Sequence, residues 1–196
     1  MTKKLLIFLT VLVVGCFLVP LVADALPKGD VAYRLYHKEG SNWVRYLPGS
    51  AFPSGGATFG TNLWKYEYTV WNLTFVADIY QFYPFFNSEN LDSTAVYSSA
   101  VAPTDWTVLL FPPVSPNYNW KVRLRTLVAA AKIKPGNSLS GFVVEFRWNK
   151  PGVLPGPQMY ELTTANDSET QQYTHDQDAT SVDSATWGRI KGLFSR

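Results

Sequence analysis

Residues 65–74 are Lys-Tyr-Glu-Tyr-Thr-Val-Trp-Asn-Leu-Thr, and this stretch decides the fold. Its aromatic and apolar side chains stand at every second position over most of its length. Successive side chains of a β-strand point to opposite faces, so this period predicts a half-buried strand rather than a helix. The expected core face consists of Tyr66, Tyr68, Val70 and Asn72. The expected outer face consists of Lys65, Glu67, Thr69 and Trp71.

Two later stretches alternate in the same way. In residues 120–133 an apolar face opposes the basic strip Lys121, Arg123 and Arg125, and residues 141–149 carry an apolar face that ends at Trp148. Turn residues such as Pro135-Gly136 separate the stretches, as an antiparallel sandwich or barrel requires. Shorter candidate strands are residues 31–36, 43–46, 79–86, 95–99, 106–111 and 160–163. The fold class is therefore predicted to be all-β.

The N-terminus has the layout of a secretory signal peptide. A positively charged start precedes the apolar run Leu5–Val19, which is followed by Pro20 and the small-residue site Ala23-Asp24-Ala25. This layout predicts a signal helix over residues 1–25, cleaved after Ala25. The protein would then be secreted, extracellular or at the cell surface, and the periplasm is also compatible. A retained membrane anchor and a lipoprotein signal at Cys16 are the alternatives.

The composition changes after the expected sandwich domain, residues 26–163. Residues 164–184 are polar and acidic without Lys or Arg, and such a segment buries too little apolar surface to fold, so we expect a disordered linker. Residues 185–196 then place apolar side chains on one face of a short amphipathic C-terminal helix. This helix either folds back on the domain or serves as a tag for sorting machinery, a membrane or a partner groove. The tag residues are Trp187, Gly188, Arg189, Ile190, Lys191, Leu193 and Phe194.

Charge and cysteine content argue against several function classes. The formal net charge is +2 and charged residues make up 16% of the chain, which gives no electrostatic case for nucleic acid. The single cysteine, Cys16, would leave with the signal peptide. The two histidines, His37 and His175, are far apart in sequence and have no metal-ligand spacing. We therefore expect no metal, no cofactor and no catalytic residues.

Carboxylates on strands raise the possibility of a glycoside hydrolase, which needs two of them across a groove. Glu67, Glu145 and Glu161 are the candidates. Glu67 and Glu145 fall on outer faces, where the basic strip Lys121, Arg123 and Arg125 is expected to supply cross-strand partners. This pairing argues against catalysis. The strip itself is either part of an interface or a solvated strand face.

Aromatic residues make up 15% of the chain and suggest carbohydrate binding, because sugars stack on exposed rings. Trp71 is the best candidate, since it shares an outer face with Lys65 and Glu67. Trp43 and Trp148 are weaker candidates. Packing in the core is the alternative for each of these rings.

Three pieces of the chain carry a family resemblance. They are Tyr66-x-Tyr68-x-Val70-x-Asn72-x-Thr74, Ala102-Pro103-x-x-Trp106 and Ile133-x-Pro135-Gly136-x-Ser138-Leu139-x-Gly141-Phe142-x-Val144-x-Phe146. In this order they resemble extracellular domains of uncharacterised bacterial secreted and surface proteins. The resemblance implies an immunoglobulin-like β-sandwich at a surface and transfers no catalytic residues. With a jelly roll as the related option, an antiparallel β-sandwich is the predicted architecture.

These observations favour a non-catalytic secreted or cell-surface protein with a structural, adhesive or matrix role. It would act through contacts with surface or matrix proteins. A carbohydrate-binding module that holds polysaccharide on exposed aromatics is the alternative, and a glycoside hydrolase comes third.

Overall fold

The computed structural model describes residues 29–53, 62–86, 98–112, 120–148, 152, 154–165 and 168–178. This part of the chain is almost entirely β-structure. The predicted signal peptide and C-terminal helix lie outside it. Its strands are β1 (Gly29–Glu39), β2 (Asn42–Tyr46), β3 (Leu63–Asn72), β4 (Ile79–Phe86), β5 (Ser99–Val101), β6 (Thr107–Phe111), β7 (Trp120–Arg125), β8 (Ser138–Arg147), β9 (Met159–Thr164), β10 (Ser168–Tyr173) and β11 (His175–Asp176).

The strands form two sheets packed as layers. Sheet A has the order β11-β1-β3-β8-β5, with β2 also paired to β1, and sheet B has the order β10-β9-β4-β7-β6. The β1–β11 pair is parallel, and the other described pairs are antiparallel. The predicted all-β, antiparallel, two-layer fold is confirmed.

Aromatic side chains join the two layers. Tyr66 and Tyr68 of β3 are 1% exposed, as their alternation predicts. Tyr68 meets Phe82 of β4 edge to face with ring centroids 5.3 Å apart, and Phe82 meets Phe142 of β8 at 5.7 Å. Burying each such side chain contributes about 1.5–3 kcal/mol, so this layer supplies much of the driving force for folding.

The buried tyrosine hydroxyls also hold an irregular segment in place. Tyr66 donates to the carbonyl of Gly156 at 2.8 Å, and Tyr68 donates to Oε1 of Gln158 at 2.6 Å. Burial raises the pKa of both hydroxyls well above 10. The two hydroxyls therefore remain neutral hydrogen-bond donors, and their bonds hold residues 154–158 against the interior.

Between β7 and β8 the chain crosses from sheet B to sheet A. The prediction of one strand over residues 120–133 is wrong beyond Arg125. Ala129–Ala131 forms a 3₁₀ turn, and the backbone of Ile133 bonds with that of Ile79 in an isolated bridge. A continuous strand would stay in one sheet, so the crossover needs this break.

The structure also corrects the predicted linker. Residues 168–176, assigned to a disordered segment, form β10 on the edge of sheet B and β11 on the edge of sheet A. Hydrogen bonds rather than apolar burial hold the end of this segment: Thr174 donates from its backbone to Gln158, and Gln177 to Tyr33. The sandwich therefore continues to Asp178, and the rest of the predicted linker lies outside the described residues.

Among the described residues, no helix is long and apolar enough to cross a membrane.

Candidate functional site

The outer face of sheet A carries most of the residues predicted for binding. Lys65 and Glu67 project from β3 on the side opposite the core, and Lys65 Nζ lies 2.7 Å from Glu67 Oε1. The same ammonium lies 4.5 Å from the ring centroid of Tyr36 and 4.9 Å from that of Trp43. Lys65 therefore has a carboxylate and two aromatic rings as neighbours, and its charge is satisfied within the chain.

Two arginines of this sheet are paired with acids near the C-terminal edge strand. Arg45 Nη2 lies 2.9 Å from Asp176 and 3.1 Å from Asp178, and Arg34 lies 3.3 Å from Asp178. Burial, and then the Asp176 charge, raise the pKa of neighbouring Tyr33 to about 12. These pairs tie β11 to the sheet, which is a structural use of the charges.

Trp71 lies on the same outer face but at the other end of β3. It is half-buried and stands opposite Asp30 of β1 and Ser138 of β8. Six residues of strand separate it from Lys65, a distance of about 20 Å. The structure thus puts the predicted group on one face without bringing Trp71 next to Lys65, Glu67 and Trp43.

Trp148 does not join this group. Its ring packs partly buried against the core and meets Phe146 edge to face at 6.3 Å. Its backbone bonds with Asn62, whose side chain also donates to the carbonyl of Trp148 at 2.7 Å. Trp148 closes one end of the sandwich, as the packing alternative expected.

The basic strip lies on the outer face of the other layer, sheet B. Lys121, Arg123 and Arg125 alternate along β7 with core residues. Arg123 lies 5.3 Å from the ring of Phe111 on β6, and Arg125 lies 5.7 Å from the ring of Tyr80 on β4. We call this surface the basic-aromatic face. Its residues are Tyr80, Tyr83, Phe85, Phe111, Lys121, Arg123 and Arg125.

Lys121 has three aromatic rings around it, more than Arg123 or Arg125 has among the described contacts. It stands 5.4 Å from the ring of Tyr83, 5.7 Å from that of Phe85 and 5.9 Å from that of Phe111. These rings come from alternate positions of β4 and β6. Strands are predicted at both places from the sequence, and the same period-two pattern identifies these rings as outward-facing.

The charges of the basic-aromatic face lack the pairing seen on sheet A. In the part of the chain that the structure describes, no carboxylate lies within ion-pairing distance of Lys121, Arg123 or Arg125. Glu161 on β9 is the nearby acid. Burial raises the pKa of Glu161, and the positive charge of Lys121 opposes that shift. The expectation that the strip pairs with Glu67 and Glu145 is wrong, because it lies in the opposite sheet; Lys65 takes that role for Glu67 and lies opposite Glu145.

The remaining candidate, His37, has the surroundings of a packed core residue. His37 is buried against the ring of Trp64, with centroids 4.6 Å apart, and its Nδ1 lies 3.5 Å from Glu39. Within the described ranges no three His, Cys, Asp or Glu side chains cluster as metal ligands would. The predicted tag residues 187–194 lie outside those ranges.

Comparisons with protein families, with curated proteins and with solved structures gave no match. The two outer faces are therefore the features of this molecule that bear on its function.

Proposed function

We propose that this chain is a non-catalytic β-sandwich protein, secreted or displayed at the cell surface, that contacts acidic surface or matrix proteins through its basic-aromatic face. We further propose that its sandwich is of the immunoglobulin-like or jelly-roll type. The observation that supports the binding proposal is a difference in ion pairing between the outer faces of the two layers. Lys65, Arg34 and Arg45 lie within ion-pairing distance of carboxylates, whereas Lys121, Arg123 and Arg125 have no carboxylate that close among the described residues. The nearby acid, Glu161, interacts with Lys121 from beyond that distance.

The chemistry of the basic-aromatic face fits a protein partner. Arginine and aromatic side chains are enriched at the energetic centres of protein interfaces. Arg123 and Arg125 lie against rings, so part of their hydration is already lost before a partner binds. An acidic partner would form ion pairs with these arginines. Complementary charge speeds association and selects the partner.

Charge reversal tests this proposal. The full chain and an Arg123→Glu variant are incubated with intact cells and with matrix extracts, before and after protease treatment. We expect protease-sensitive binding that weakens about tenfold or more in Arg123→Glu and falls as salt rises. Arg147→Glu is the matched control, because Arg147 projects from the outer face of sheet A and is also half-buried. Equal binding by the two variants, or binding that survives protease, would contradict the proposal.

A second candidate function is polysaccharide binding on the outer face of sheet A. Half-exposed Trp71, flanked by the polar groups of Asp30 and Ser138, favours it, since a sugar needs a ring and hydrogen-bonding neighbours. The test is retention of the full chain on insoluble polysaccharides and peptidoglycan. Retention lost in Trp71→Ala but kept in Trp43→Ala would support a site at Trp71, and no retention of the unmodified chain would end this candidate.

A further inference from the structure

One end of the sandwich displays large apolar side chains to solvent. The loop after β3 exposes 87% of Phe75 and 88% of Val76, and the loop after β7 exposes 76% of Leu127. Leu73 and Val128 are about half exposed beside them. The apolar tip is defined as Leu73, Phe75, Val76, Leu127 and Val128. Exposed apolar groups concentrated at one place mark interaction sites, whereas scattered ones do not.

Buried Asn72 holds the first of these loops rigidly. Its Nδ2 donates to the carbonyls of Ala77 and Ile133, both at 2.8 Å, and its Oδ1 accepts from the backbone and hydroxyl of Thr74 at 2.9 and 2.7 Å. The Thr74 hydroxyl also lies 2.6 Å from the carbonyl of Ala77, so its one proton has two acceptors within reach. Phe75 and Val76 therefore project from a fixed turn, and a surface ordered in advance loses little entropy when it docks.

Two lysines follow the apolar tip closely in the chain, four and six residues after Val128. Lys132 and Lys134 line an open groove of about 410 Å³ together with Thr104, Asn137 and Ser138. Lys134 is 2.7 Å from Asp78, and Lys132 is 5.9 Å from the ring of Tyr80. An apolar edge backed by cations and hydroxyls is the arrangement that inserts into the headgroup region of an anionic bilayer.

The N-terminal part of the chain joins the domain at this same end. Gly29, where the described chain begins, pairs with Asn72 immediately before the Phe75 loop. The apolar run Leu5–Val19 precedes Gly29 by about ten residues, which span at most about 35 Å. Where the chain keeps this run as a membrane anchor rather than losing it after Ala25, the anchor is connected beside the apolar tip. That alternative, together with the nearby lysines, favours an anionic lipid surface over a soluble protein as the occupant.

We propose that this end of the sandwich is a membrane-docking surface. The side chains of Phe75, Val76 and Leu127 insert at the level of the lipid headgroups, and Lys132 and Lys134 contact headgroup phosphates. Lys121 and Arg123 of the basic-aromatic face lie farther along β7 from the apolar tip than Arg125 does, so docking leaves these two cations open to a partner.

Depth-sensitive labelling of the full chain tests the proposal. In a Cys16→Ser background, Phe75→Cys or Val128→Cys carries an environment-sensitive fluorophore. Ser41→Cys, in the exposed β1–β2 turn at the opposite end, is the matched control. The proteins are reconstituted with phosphatidylcholine vesicles that contain or lack phosphatidylglycerol, and the lipids carry nitroxide quenchers.

We expect blue-shifted, quenched emission at positions 75 and 128 and neither effect at position 41. Quenching at position 128 should be lost when Phe75→Ser and Val76→Ser are added, because the remaining tip buries too little apolar area. Quenching should also be weaker without phosphatidylglycerol. Water-exposed labels at both tip positions, or equal quenching at all three positions, would overturn the proposal. Equal quenching in both vesicle types would overturn the role of Lys132 and Lys134.

Discussion

Arg45 on β2 donates from Nη2 to both carboxylate oxygens of Asp176 on β11, at 2.9 Å each. The two strands share one edge of β1: β11 stands opposite Ala32 and Tyr33, and β2 begins its pairing at Leu35. Arg45 also donates to the carbonyls of Leu35 and Tyr46. One guanidinium therefore ties together three strands where the two short ones meet.

Removing this guanidinium should destabilise the domain strongly. The Asp176 side chain is 2% exposed, so Arg45→Ala leaves a buried carboxylate without its main partner. We expect a loss of about 3–5 kcal/mol in the free energy of unfolding, measured by denaturant titration. Arg34→Ala removes an exposed pair with Asp178 and should cost under about 1 kcal/mol. Similar losses in the two variants would show that Asp176 is not held through Arg45.

The docking of β11 should weaken as pH rises from 6.5 through the raised pKa of His175. The hydrogen bond with Asp30 raises the pKa of His175 despite partial desolvation. Because the pKa of His175 is higher in the folded state than in the unfolded chain, the His175–Asp30 pair stabilises the fold fully below the unfolded pKa, near 6.5. This stabilisation is lost as pH rises through the folded pKa. Hydrogen exchange at the backbone N–H of Gln177, corrected for intrinsic rates, should show this loss. Asp30→Asn should remove the pH dependence, and its persistence would exclude the His175–Asp30 pair as the cause.

The same segment should loosen again in acid. Desolvation raises the pKa of Asp178, but hydrogen bonds from Arg45 and Arg34 outweigh it and lower the pKa overall. Because the pKa of Asp178 is lower in the folded state than in the unfolded chain, its ion pairs stabilise the fold fully above the unfolded pKa of 3.8. This stabilisation is lost as pH falls through the folded pKa. Limited proteolysis after Tyr173 should therefore increase at low pH, with an acid-active protease. In Asp178→Asn this increase should be smaller, and an unchanged increase would contradict the assignment.

Gly29 is predicted to tolerate no side chain. A Cβ there would lie 2.3 Å from Cδ1 of Leu162 and 2.7 Å from the backbone oxygen of Trp71. Gly29→Ala should lower the free energy of unfolding by about 1–3 kcal/mol through overpacking. Gly156→Ala is the control, because a Cβ there meets nothing within 4 Å. Equal melting temperatures for both variants would show that β1 shifts freely at its start.

Asn72 should be required for the shape of the apolar tip. Its side chain is buried and makes hydrogen bonds to Ala77, Ile133 and Thr74, so Asn72→Ala removes the contacts that connect this loop to the start of β4 and should cost about 1–3 kcal/mol. Faster hydrogen exchange at Thr74 and Ala77 in Asn72→Ala is the expected result. Unchanged exchange would show that the loop is held by other contacts.

Local patterns predicted much of the fold and less of the candidate site. The alternation of Tyr66 with Lys65 and of Val122 with Lys121 assigned inner and outer faces correctly, because the period of a strand is a property of neighbouring residues. The polar composition after Thr164 led to the wrong prediction for β10 and β11. β10 is held by pairing with β9, and β11 is held by Arg45, more than a hundred residues earlier in the chain. Composition carries no trace of either contact.

The sequence by itself determined the all-β class, the faces of the main strands and the basic strip on one outer face. Tertiary structure decided that this strip and Glu67 lie on opposite layers, that Trp71 stands far from Lys65, and that the loops carrying Phe75 and Leu127 lie at the same end of the sandwich. The reason is that face assignment follows from adjacent residues, whereas strand order follows from pairing between distant segments. Several pairings satisfy the same alternation, and the packing of the whole aromatic core selects among them.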